Sequence, residues 1–207
     1  MNKTIVITGT DTDVGKTVFA AGLAAVLGAH YWKPVQAGTE DGGDAAKVAA
    51  LGVPAPKILP EAYRLGTPCS PHRSAEIDGV EIDLRRLEPP RVEGALVVEG
   101  AGGALVPVTR QVLYADLFAR WGHPTVVVAS TRLGTINHTL LTLEAMRARA
   151  VPVLGVAFVG EANADSERTI CDFGKVDRLG RLPWLDPLSA DSLAAAFRAN
   201  FSAGDFV

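Results

Sequence analysis

Apolar positions in this chain come in blocks rather than in strict alternation. Short apolar runs of strand length stand at residues 4–8, 31–35, 94–98, 124–129 and 151–159. Continuous apolar runs bounded by glycine and polar residues predict strands buried on both faces, as in a parallel sheet. Between them lie stretches with helical spacing: residues 18–27, 45–51, 114–121, 139–150, 166–173 and 189–201. Residues 62–65 predict a short edge strand, and residues 179–184 a last short strand or turn. Residues 66–72 are too rich in proline for a regular element, and residues 73–90 predict only one short helix near Leu84. Strands alternating with helices predict an α/β fold, a doubly wound and mostly parallel sheet flanked by helices, as one domain over residues 1–207.

The first strand leads into Gly9-Thr10-Asp11-Thr12-Asp13-Val14-Gly15-Lys16-Thr17, and a helix follows. Strand, glycine loop and helix form the context of a phosphate-binding loop. Free N–H groups and the helix dipole at such a helix start favour a polyanion. Gly15 keeps a Cβ out of the way. Lys16 is placed to reach the β- and γ-phosphates, and the Thr17 hydroxyl to take magnesium. Five residues separate the two glycines, one more than the general pattern allows.

Other chemistry gathers at predicted strand ends, where ligands of open parallel sheets sit. Lys33 falls there on the second strand, and a glycine-rich loop, residues 36–43, follows. Asp44 opens the next helix, as its N-cap or as a magnesium carboxylate. Glu99 ends the third strand before Gly100-Ala101-Gly102-Gly103. A buried carboxylate there calls for a cation. The start of the helix after Leu133 offers N–H groups to a carboxylate, and His138 reads as a polar contact at that helix start.

Bulk properties narrow the partners. With 207 residues, 48% hydrophobic, and a net charge of -3, nothing points electrostatically to nucleic acid or to an anionic membrane. No apolar run approaches the ~18 residues of a membrane span. The first strand begins too early for a signal peptide, and Cys69 and Cys171 lack metal-type spacing. These features predict a cytoplasmic protein with two reduced thiols.

Several stretches together resemble the dethiobiotin synthetases, enzymes of biotin biosynthesis. They are the loop from Gly9 to Thr17, Lys33-Pro34-Val35-Gln36-Ala37-Gly38, Ser70-Pro71-His72, Val97-Val98-Glu99-Gly100-Ala101-Gly102-Gly103, Leu133-Gly134-Thr135-Ile136-Asn137-His138 and Gly180-Arg181-Leu182-Pro183-Trp184. They occur in family order from end to end, and the five-residue glycine gap is the family's own form. The resemblance implies an ATP- and magnesium-dependent cyclo-ligase acting on 7,8-diaminononanoate and CO2. A carbamate forms on one amine, ATP converts it to a carbamic-phosphoric anhydride, and the second amine closes a cyclic urea.

It further implies roles for individual residues. Lys16, Lys33 and Thr12 would be catalytic, with Thr12 at the loop crest beside the substrate amines. Asp13, Val14, Gly15, Lys16, Thr17, Val18, Glu99, Gly180, Leu182 and Pro183 would bind the nucleotide. Thr12, Lys33, Ala37, Gly102, Thr135 and Asn137 would bind the substrate, and Thr17, Asp44 and Glu99 the magnesium ion. The substrate carboxylate would lie on the partner subunit's helix start, which implies a homodimer. Two positions depart from the pattern: Ala37 replaces a serine, and no asparagine follows Phe158 and Val159 where the adenine is usually met, Asn163 standing farther on. Two rivals share the nucleotide-binding loop. A chromosome- or septum-positioning ATPase switch would carry a lysine where Thr10 and Asp11 stand. An amidotransferase-type synthetase would need a glutaminase half, for which the length leaves no room.

Overall fold

The computed structural model describes residues 3–39 and 42–206. Eight strands and seven helices follow in order: β1 (Thr4–Gly9), α1 (Lys16–Leu27), β2 (His30–Trp32), β3 (Val35–Ala37), α2 (Gly43–Ala50), β4 (Tyr63–Leu65), α3 (Pro71–Asp78), β5 (Leu96–Gly103), α4 (Tyr114–Trp121), β6 (Thr125–Ser130), α5 (Thr135–Arg147), β7 (Val153–Val159), α6 (Ala164–Gly174), β8 (Arg178–Leu182) and α7 (Ala190–Asn200). Six strands form one sheet in the order β2-β5-β1-β6-β7-β8, and all its pairings are parallel. The chain moves to one side of β1 first and to the other side from β6 onward. This reversal opens a crevice at the carboxyl ends of the central strands.

Both faces of the sheet are covered, so the strands are apolar on both sides. Ile5, Ile7, Val97, Val126 and Val128 face α1, α2 and α7. Val6, Leu96 and Val98 face α4 with Phe118 and Trp121, and Val127, Ala129, Val156 and Phe158 meet α5 and α6. Each large side chain so buried contributes about 1.5–3 kcal/mol. Phe19 of α1 anchors an aromatic cluster with Phe197, Phe201 and Phe206, its ring centres 5.4 to 6.2 Å from theirs.

Five sequence expectations change. The third predicted strand does not end at Glu99: β5 runs on through the glycines to Gly103, which pairs with Gly9 of β1. The apolar run 31–35 is two strands, because Pro34 has no N–H for the ladder. Only β2 stays in the main sheet; β3 and β4 pair in a separate two-stranded parallel sheet. The predicted loop 36–43 therefore begins as strand, and its residues 40 and 41 lie outside the described residues. A helix, α3, occupies part of the region expected to be irregular, with Pro71 in its first turn. Helix α5 begins at Thr135, four residues early. Beyond α7 a 3-10 turn, Ala203–Phe206, returns Phe206 to the core.

Candidate active site

The loop between β1 and α1 is held by its backbone. The N–H of Thr10 donates to the carbonyl of Val128 (3.0 Å). Gly15 precedes α1 with φ of 95°, a left-handed conformation that a side chain would strain, and a Cβ there would meet Val159 at 2.8 Å. Helix α1 has no side-chain cap, so its first N–H groups remain free for an anion. Val14 is buried in the core, and Val18 packs partly against it.

Lys16 and Lys33 reach the same crevice. Their strands, however, are not neighbours: β5 lies between β1 and β2. Lys16 is 7% exposed, and its ammonium donates to the carbonyl of Asp11 (2.6 Å). Burial lowers its pKa, and nearby Lys33 adds to this, against the pull of Glu99. Lys33 follows β2 directly and is 6% exposed. Its ammonium pairs with Asp44 and lies 3.4 Å from Glu99 Oε1. Burial works against its charge, but Glu99 and Asp44 outweigh burial, and its pKa is raised. Lys33 is fully charged at neutral pH.

Around Lys33 the polar groups converge. Glu99, 1% exposed, accepts from Thr17 Oγ1 (2.8 Å) at Oε1 and from the Tyr31 hydroxyl (2.8 Å) at Oε2. Thr17 Oγ1 also lies 3.1 Å from Asp44 Oδ1. One hydroxyl carries one proton, so it can satisfy only one of these two carboxylates at a time. Asp44 is not an N-cap: Gly42 takes that place, and Asp44 turns inward from the first turn of α2. Burial raises its pKa, yet the charge of Lys33 and hydrogen bonds from Lys33 and Thr17 prevail, and the net shift is downward. Gln36 holds this helix start, its Oε1 accepting from the N–H of Asp44 (3.1 Å).

The carboxylates of Asp44 and Glu99, which share one ammonium, and the hydroxyl of Thr17 are hard oxygen donors. Among the described residues no group of three or more His, Cys, Asp and Glu could hold a metal by itself. Two carboxylates and a hydroxyl suit magnesium, which keeps waters and is completed by substrate phosphates. Sequence reasoning missed Tyr31, because only the strand register brings it to Glu99. It also missed Gln36, although the stretch containing it was singled out.

Three cavities surround the loop. The first, about 410 Å³, is lined by Thr12, Asp13, Lys33, Ala37, Asp44 and Gly102, and closed by Pro68, Cys69, Ser70 and Pro71. Gly102 is left-handed there, and a Cβ would strike Val106 at 2.7 Å. The second, about 300 Å³, runs from Thr12 past Val106 to Leu105, His138 and Leu141. The third, about 190 Å³, joins the loop to Thr135 at the start of α5. Asn137 is exposed on that first turn. Gly180 and Leu182 are buried in β8, Gly180 directly against Phe201, and Pro183 is half-buried.

A sequence-family description named "AAA domain" matches residues 3–192. The fold resembles the cell-division ATPase MinD of Pyrococcus furiosus, with a TM-score of 0.56, 12% identity and coverage of 99% of this chain and 98% of that one. It also resembles the MinC:MinD complex of Aquifex aeolicus, with a TM-score of 0.55, 14% identity, and 95% and 94% coverage. At such identity the likeness shows the fold alone. The sequence relatives are far nearer. A protein of Rhodopseudomonas palustris strain HaA2 named ATP-dependent dethiobiotin synthetase is 61% identical over all of this chain and 98% of its own length. One of the same name from Novosphingobium aromaticivorans is 64% identical over 97% of this chain and 98% of its own. With identity of this order along the whole length, and with a phosphate loop, two lysines and two carboxylates meeting at one crevice, the chain belongs to the dethiobiotin synthetase family.

Proposed function

We propose that this chain is the ATP-dependent cyclo-ligase that makes the cyclic urea of dethiobiotin from 7,8-diaminononanoate and CO2, with ADP and phosphate as the other products. The observation that carries the reading is the meeting of Lys33 and Asp44, which line the cavity beside the phosphate loop, with Glu99 and Thr17 behind them. A switch ATPase needs no second lysine facing a cavity of substrate size.

The reaction must bring two anions together, the carbamate and the γ-phosphate. The fixed charges of Lys33 and Lys16 lower that repulsion in a site with little water, where such charges act strongly. The carbamate oxygen attacks the γ-phosphorus, and ADP leaves. The second amine then attacks the carbonyl carbon, phosphate leaves with the C–O electron pair, and the ring closes. No protein nucleophile is required. The residues position two amines and two anions, which contributes several kcal/mol when the geometry is right. Thr12 and Ala37 border the amines, and Gly102 leaves room for them. Asp13, Val14, Gly15 and Val18 frame the phosphates, and Gly180, Leu182 and Pro183 the base.

Magnesium, when bound by Thr17, Asp44 and Glu99, would neutralise the β- and γ-phosphate oxygens. A homodimer completes the site: exposed Leu105, Leu133 and Leu141 rim the second and third cavities, where a partner subunit's Thr135–Asn137 turn would meet the substrate carboxylate. Among the described residues no helix is long and apolar enough to cross a membrane, in keeping with a cytoplasmic enzyme.

The test is phosphate release by the purified protein. Release should require both diaminononanoate and bicarbonate together with ATP and magnesium. Equal release without them would favour the switch ATPase.

A further inference from the structure

We propose that Tyr31 is a positioning residue for metal binding, holding the Glu99 carboxylate so that one oxygen, and not both, faces the phosphates. The inference rests on the reading of Glu99 as a magnesium ligand. Parallel pairing sets Tyr31 opposite Val97, and Glu99 lies two residues farther along the same face of β5. The tyrosine ring leans along the sheet inside the core, fully buried. Its O–H donates to Glu99 Oε2 at 2.8 Å. The other oxygen, Oε1, is thereby left toward Thr17 and Lys33, on the side of the phosphate loop.

The terminal torsion of a glutamate is soft and broad. Without a donor at Oε2, the plane of the carboxylate could turn and offer both oxygens to the cation. A buried hydroxyl on the opposite side removes that freedom. Outer partners of metal ligands act in this way, by orienting the ligand. A tyrosine that only filled the core would serve equally well as phenylalanine, and this difference is measurable.

The experiment compares the wild type with Tyr31→Phe, Glu99→Gln and the double variant. Free Mn2+ is counted by electron paramagnetic resonance in the presence of ADP. Tyr31→Phe should bind Mn2+ about tenfold more weakly in the ADP complex, as expected for a lost bond to a charged ligand. ADP affinity in EDTA should not change. The double variant should be no weaker than Glu99→Gln, because Tyr31 acts only through Glu99. Mn2+ affinity of Tyr31→Phe within about twofold of wild type, or losses that add in the double variant, would overturn the inference. Unchanged Mn2+ binding by Glu99→Gln would instead remove Glu99 as a ligand, and the inference with it. A measurement without substitution guards against a misfolded variant. In protein labelled with 3-fluorotyrosine, the Tyr31 resonance should shift when Mg2+ is added to the ADP complex. A resonance that ADP alone moves just as far also argues against the role.

Discussion

Among the described residues two glutamates are buried, and they are held in different ways. Glu167 of α6 is 4% exposed. Its Oε2 accepts from Arg178 Nε and Nη2 at 2.8 and 2.7 Å, and its Oε1 lies 3.4 Å from Arg181 Nε and from the N–H of Asn163. Two guanidinium groups serve one carboxylate, and the clamp ties α6 to the edge strand β8. At Glu99 the ratio is reversed. Two carboxylates, Glu99 and Asp44, share one ammonium and compete for one threonine proton. A saturated carboxylate holds a fold together, whereas an under-supplied one is suited to receive a cation. A buried pair is weak evidence for stability in either case, so the two sites are distinguished by what their loss changes.

The largest effect is expected at Lys33. Lys33→Ala removes the ammonium paired with both carboxylates, and turnover should fall by about 10²–10³-fold or more. ADP binding should persist, since Lys33 lies outside the phosphate loop. Steady-state kinetics and calorimetry separate the two, and unchanged turnover would take Lys33 out of the mechanism.

Next come the glutamates themselves, as a crossed pair. Glu99→Gln should raise the magnesium concentration needed for half-maximal rate by about 10–100-fold. It should cost little stability, because one of two crowded carboxylates loses its charge. Glu167→Gln should do the reverse. It should cost about 2 kcal/mol by loss of hydrogen bonds to charged groups, a fall of several degrees in Tm. The magnesium requirement should not move. If both variants lose stability alike and share a normal magnesium titration, the contrast between the two sites is void.

The Glu99 half of this contrast was visible in the sequence, whereas Glu167, on α6, was not. The rule that parallel sheets gather ligands at their carboxyl ends brought Lys33, Glu99 and the phosphate loop to one edge before any coordinates. The glycine-lysine-threonine stretch fixed the start of α1 closely. What periodicity could not show was register and partner choice. The run 31–35 reads as one strand until Pro34 is counted as a missing donor. Tyr31 reads as core, because its hydroxyl meets Glu99 only through the pairing of β2 with β5. Helix α3 hides in a polar, proline-rich stretch, although Pro71 in a first turn is itself a helix-start signal. Phe206 lies in a short tail without periodicity, and it is placed by tertiary contact with Phe19.

The smallest effect provides the scale for the others. Asp116 of α4 is another paired carboxylate, but its side chain is 40% exposed. Its Oδ2 accepts from the N–H of Leu113 and its Oδ1 from Arg149 Nε, both at 2.8 Å. Burial raises its pKa somewhat, but the Leu113 N–H and Arg149 outweigh that, and the folded value lies below the ordinary one. A depressed carboxylate pKa stabilises the fold above the unfolded value, about 3.9, and that gain fades as pH falls through the folded value. Asp116→Asn should therefore cost about 0.5 kcal/mol at pH 7, given its exposure to solvent, and less at pH 3, as read from urea midpoints. A cost as large at pH 3 as at pH 7 would mean that packing, not charge, holds this residue. A cost at pH 7 equal to that of Glu167→Gln would mean that burial does not set the strength of these clamps. The difference drawn between Glu167 and Glu99 would then have to rest on the count of their partners alone.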